Sequence, residues 1–330
     1  MVRRTTGREL KVFVSLCCLV FWPLQASADV LLVAYSADHQ VAFFDPATYE
    51  LLATLPTGQG PHEIATSADG RLAAVAISGA GPGGEPGHAV TIVDLEKRTV
   101  KATIDLGSYT GSHDVRISRD NSIVWVACAL AKAVLEVEAS TGKILHAWKL
   151  ERDGGWFVAV TPDEKKIFVP HLEGKAVSII RRADGTVRTL PMPTGQAGLD
   201  ISPDGREVWV GGAEDNTITV IDAAEERVVA NFPSGGQGFT RLRFTSDGEQ
   251  VVVVQGEDFS VFDAASRRRI GGLKLPRPGK VVTVSPEGRY AFLSHPSANQ
   301  VSVIDLRTLE LVTSFPTGKA PDGVAWVGSK

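Results

Sequence analysis

The chain is a succession of short apolar runs separated by short polar turns, and almost no stretch after the first 28 residues carries helical spacing. The segment 300–318, QVSVIDLRTLELVTSFPTG, shows the unit. An apolar-x-apolar-apolar-Asp strand leads through a turn into a second strand whose Val, Thr and Phe suit a pleated surface. The first part recurs at 41–45, 90–94, 134–138, 177–181, 218–222, 259–263 and 301–305. Most copies are preceded by two further apolar strands joined by a polar turn. These turns read SADGR (67–71), SRDNS (118–122), TPDEK (161–165), SPDGR (202–206), TSDGE (245–249) and SPEGR (285–289). Their Gly, Pro and Asp supply turn geometry rather than chemistry. The turn acids recur every 40 to 51 residues, and four strands per unit at that spacing predict the blades of a propeller.

The two ends settle the blade count. Residues 323–328 read as an inner strand with nothing after it, whereas 30–55 supplies three strands with no inner strand before them. Joined in one sheet, they make a seventh blade and remove the open edge of an unclosed ring. The expected fold is therefore an all-β, seven-bladed β-propeller of four-stranded blades. In strand pattern, turn chemistry and repeat motif, residues from about 30 to 328 resemble the YVTN family of seven-bladed propellers. That resemblance implies a secreted or periplasmic protein. The repeat pattern is also similar to that of the d-type haem domains of periplasmic nitrite reductases, and lactonases occur on seven-bladed propellers too. Where the family pattern places Asn, at the end of the second strand, this chain has Tyr35, Ile77, Cys128, His171, Gly212, Gln255 and His295.

Residues 1–28 read as an export signal: basic residues at 3, 4, 8 and 11, an apolar run over 12–24, then Ala26-Ser27-Ala28. The run is too short, and too interrupted by Pro23, for a membrane span, so cleavage before Asp29 is expected, leaving a single domain over 29–330. Neither Cys17 nor Cys18 has the preceding small residue of a lipid attachment site. The whole chain carries a net charge of −4, and loss of the basic signal leaves −7, which argues against nucleic acid as a partner. Cys128 is the one cysteine outside the signal, so no intramolecular disulfide forms. The pattern breaks most at 78–88, SGAGPGGEPGH, where a Gly/Pro-rich insertion lengthens one blade; a functional loop and a tolerated insertion stay equally open.

Loops between blades emerge on one face, around the central channel, and propeller ligands usually sit there. Aligned seven residues before the turn acid, the channel-mouth column reads His62, His113, Trp156, Ala197, Thr240, Lys280 and, in the closing blade, Asp322. The next column reads Glu63, Asp114, Phe157, Gly198, Arg241, Val281 and Gly323. Two adjacent blades thus carry His-acid pairs, and His171 and His295 fall near the same mouth. Imidazoles with carboxylates that orient them suit a metal, which makes His62 and His113 candidate ligands, although no HExxH or CxxC motif supports them. Trp156 suits stacking on a sugar or macrocycle, and Arg241 and Lys280 suit an anion or serve to balance Asp114 and Asp322. No GxSxG elbow, phosphate-binding glycine loop or CxxCH haem attachment is present.

The candidate site is therefore His62, Glu63, His113, Asp114, Trp156, His171, Arg241, Lys280, His295 and Asp322. Three functions remain open from sequence. The first is an exported binding propeller for a small ligand, a metal or a periplasmic protein partner. The second is a haem- or metal-linked protein. The third is a lactonase-type hydrolase in which His62, Glu63, His113 and Arg241 carry acid–base and oxyanion roles.

Overall fold

The structure, a computed structural model, describes residues 29–81, 84–238 and 240–328. The expected export signal lies outside them. Seven four-stranded antiparallel sheets form a ring, and in each the strands follow chain order from the channel outwards except where the chain ends meet. There the C-terminal strand Pro321–Val327 is the inner strand and pairs with Val30–Tyr35, which continues through Gln40–Phe44 to Leu51–Pro56. The seven-bladed propeller expected from the repeat is the fold observed. Among the described residues no helix is long and apolar enough to cross a membrane, and the one helical element is the short turn Pro296–Ala298.

Side-chain alternation explains why the middle strands read as unbroken apolar runs. In Gln250–Gln255, Val251 and Val253 point into a core shared with the preceding blade, while Val252 and Val254 point into one shared with the next. Each of seven apolar clusters joins two neighbouring blades, so the ring is glued sheet to sheet all the way round. Outer strands such as Leu51–Pro56 pack on one side only and stay largely exposed.

The polar turns do what their composition predicts. Ser67 donates to Asp69 Oδ1 at 2.7 Å, Asp69 Oδ1 accepts from Arg71 N, and Gly70 adopts φ +70°. The same Ser/Thr-to-acid bond recurs at Asp120, Asp163, Asp204 and Asp247. The insertion at 78–88 is partly strand: Leu72–Gly79 and Pro86–Asp94 extend their pairing to Gly79 and Pro86 after a bulge.

Candidate functional site

Inner strands run from the inter-blade loops towards the polar turns, so their first residues ring one mouth of the channel. Register shifts interrupt the pairing between Pro61 and Ile64 and between Ser112 and Asp114. An irregular strand end lets consecutive residues share a side that strict alternation would deny them. His62 thereby reaches the mouth while Glu63, its neighbour, still faces the channel just beneath it.

A cavity of ≈ 510 Å³ opens there, with His62, His113, Trp156, Phe157, Arg241 and Lys280 in its wall. Three rings form one side: His113 meets Trp156 at 5.0 Å and 63° and Phe157 at 4.8 Å and 83°, both edge to face. The imidazole of His62 lies against that of His113, with centroids 3.9 Å apart. The guanidinium of Arg241 lies 3.8 Å over Phe157. These two residues also border a small void beneath, which Glu63 and Asp114 line, so they partition the mouth from the channel below.

The charges are interleaved. Lys280 Nζ lies 2.5 Å from Asp322 Oδ2 and 3.4 Å from His62 Nε2, which is itself 3.2 Å from Asp322 Oδ2. Arg241 Nη2 stands 3.3 Å from Glu63 Oε1. Burial, reinforced by the Lys280 and Arg241 cations, holds His62 well below the ordinary imidazole value, and burial does the same to His113 with help from His62. Both rings are therefore neutral at physiological pH. Burial pushes the carboxyl of Glu63 up to about 7 against the opposing pull of Arg241. Three buried polar atoms at this mouth, His62 Nδ1, His113 Nδ1 and Asp322 Oδ1, have no hydrogen-bond partner among the described residues. Buried polar atoms are nearly always paired, so these three hold hydrogen-bonding capacity that the described residues leave unused.

The expected pairing of His113 with Asp114 does not form. Asp114 turns down the channel, where Oδ1 accepts from Val115 N and Arg116 Nη1 and Oδ2 accepts from Val158 N. Arg241 pairs with Glu63 rather than Asp114. His171 and His295 stand outside the cavity and are fully buried in their own blades. Each faces a backbone carbonyl through Nδ1, of Asp153 at 3.1 Å and Pro278 at 2.9 Å, and a serine hydroxyl through Nε2, of Ser178 and Ser302 at 2.8 Å. They cross-link strand ends. Sequence reading missed Arg116 and Arg243, which line the channel further in, and Asp200, which stands 3.6 Å from Arg243; the alignment read two positions beyond the Glu63 column exposes all three.

A resident divalent metal does not fit these residues as they stand. His62, Glu63 and Asp322 each offer a ligand atom within 4.8 Å of the others. Their carboxylates, however, are already neutralised by Arg241 and Lys280, and the Lys280 ammonium lies against both His62 and Asp322, where its charge would repel a second cation. His62 and His113 meet through ring faces, whereas a shared metal needs in-plane lone pairs that converge. Haem iron finds little better at His62, because Nε2 is engaged and Nδ1 is buried.

No family model and no curated protein matches the chain. Solved structures do. A periplasmic gluconolactonase of Pseudomonas aeruginosa, PpgL, superposes with TM-score 0.74 at 19% identity, covering 92% of this chain and 99% of that one. A chain of Kuenenia stuttgartiensis hydrazine synthase gives 0.73 at 16%, covering 84% and 92%. A dihydro-heme d1 dehydrogenase, NirN, in complex with DHE gives 0.63 at 20%, covering 90% and 74%. At these identities the likeness establishes the propeller fold, which hosts unrelated chemistries.

Proposed function

We propose that this is an exported binding propeller, with 1–28 as its signal and 29–330 as its single domain, of the YVTN repeat type. Its channel mouth takes a small ring-shaped organic ligand bearing hydroxyl or carbonyl groups. The carrying observation is the cluster of buried polar atoms without a hydrogen-bond partner among the described residues, His62 Nδ1, His113 Nδ1 and Asp322 Oδ1, beside an aromatic wall. A ring stacked on Trp156 places its polar edge over that cluster. Lys280, an ammonium with three donors and two acceptors in range, keeps one N–H for the ligand. A periplasmic location agrees with the named neighbours PpgL and, by the signal, with export.

The test is extraction and mass spectrometry of small molecules retained by the protein after export in its native host, followed by titration of the recovered compound. Trp156→Ala and Lys280→Met are each expected to weaken binding by about tenfold or more, corresponding to ~1.4 kcal/mol. Unchanged affinity in both variants would overturn the assignment.

Hydrolysis of a lactone is the second reading, favoured by a carboxyl at about 7, near the value a general acid–base needs. It is the weaker because Glu63 lines the void beneath the Phe157–Arg241 partition rather than the cavity itself. Turnover of a lactone panel that disappears in Glu63→Gln would favour it over simple binding.

A further inference from the structure

The channel has a second mouth, on the face of the polar turns, and its lining differs in kind from that of the first. Two positions along from Asp114 and Arg241 stand Arg116 and Arg243. They border a pocket of ≈ 270 Å³ together with Thr66, Thr283, Ser285 and Trp326. In the wall of this pocket two nitrogen donors, Arg243 Nε and Trp326 Nε1, are buried without a hydrogen-bond partner among the described residues. Neither atom can accept, so each is a donor whose capacity only an acceptor can use.

Three acids stand near the two arginines: Glu63, which pairs with Arg241, and Asp114 and Asp200, which are already committed. Asp114 accepts backbone N–H groups from Val115 and Val158 as well as Arg116 Nη1. Asp200 accepts from Phe244 N through Oδ2, and its Oδ1 lies 3.6 Å from Arg243 Nη1, an ion pair beyond hydrogen-bond length. Arg243 is thus held in place by charge while its Nε goes unanswered. Guanidinium and indole N–H groups around a pocket of this size suit a compact acceptor with several oxygens.

We infer that the turn-side mouth of the channel is a second ligand site, which binds a small oxyanion, either a carboxylate or a tetrahedral anion, between Arg116, Arg243 and Trp326. This goes beyond the binding reading of the first mouth and does not depend on it. The Phe157–Arg241 partition separates the two ends, so ligands of different chemistry can occupy them together.

The test uses the full mature chain, labelled with nitrogen-15, and follows the indole N–H resonance that Trp326→Phe removes. Inorganic phosphate, sulfate and acetate are titrated separately against sodium chloride at matched ionic strength. The expected result is a saturable shift of that resonance with at least one oxyanion and none with chloride. Response to acetate distinguishes a carboxylate site, and response to phosphate or sulfate a tetrahedral one. Arg243→Gln is expected to raise the apparent Kd at least tenfold, whereas Trp156→Ala at the other mouth leaves it unchanged. A resonance that moves no more in any oxyanion than in chloride would overturn the inference. So would undiminished binding in a folded Arg243→Gln protein.

Discussion

Glu63 shows how far one residue's position decides its chemistry. Its carboxyl is buried beside Arg241, and the loss of solvent outweighs the cation, so its folded value stands near 7 against an ordinary 4.5. A carboxyl with a raised folded value contributes stability that is full below the unfolded value and lost as pH rises through the folded one. Wild type should therefore lose stability between pH 4.5 and about 7, and Glu63→Gln should not. Urea unfolding at pH about 5 and about 8 checks this. The variant is expected to gain roughly 1–2 kcal/mol on wild type over that interval, and parallel pH profiles would contradict it. His62 and His113 act in the opposite sense, because their lowered values remove stability as pH falls below 6.5. None of this is visible in the dipeptide His62-Glu63, which reads the same whether its side chains are solvated or buried.

At the scale of strands and blades, polar pins supplement the apolar cores. Glu226, in a turn of the fourth blade along the chain, is 1% exposed and bonds Arg181 and Arg188 of the preceding blade, with Lys166 3.0 Å away. Arg181 above all holds its carboxyl down at about 2. Its contribution is present above the unfolded value of 4.5 and lost as pH falls towards 2. Glu226→Gln should cost about 2 kcal/mol at neutral pH, since Arg181 and Arg188 are partly screened by solvent, and the cost should vanish in strong acid. Thermal unfolding across that range measures both. His171 and His295 belong to the same category, cross-linking loop to strand. Their place at the end of the second strand put them near the mouth in sequence, but their rings bond a carbonyl and a serine within their own blades instead.

For the molecule as a whole, closure is the decisive feature. The strand Pro321–Val327 joins the first strand and buries Val324, Ala325 and Val327 in the two cores that flank the closing blade. At about 1.5–3 kcal/mol per large buried side chain, its loss removes several kcal/mol from the ring. Truncation before residue 321 is expected to lower Tm by more than about 10 °C or to yield insoluble protein. A truncated chain that melts with the wild type would show that the ring does not depend on this join.

The repeat, its period, the blade count and the joining of the two ends were all legible in the chain, because propeller blades are local units whose strand alternation and turn residues lie within some forty positions of one another. The mouth residues were legible as columns for the same reason. Their partners were not. That Arg241 meets Glu63, that Lys280 meets both His62 and Asp322, and that Asp114 turns away from His113 depend on blades far apart in sequence facing one another across a channel. Tertiary structure alone decides which charges meet there and which are desolvated, and that decides what each mouth can hold.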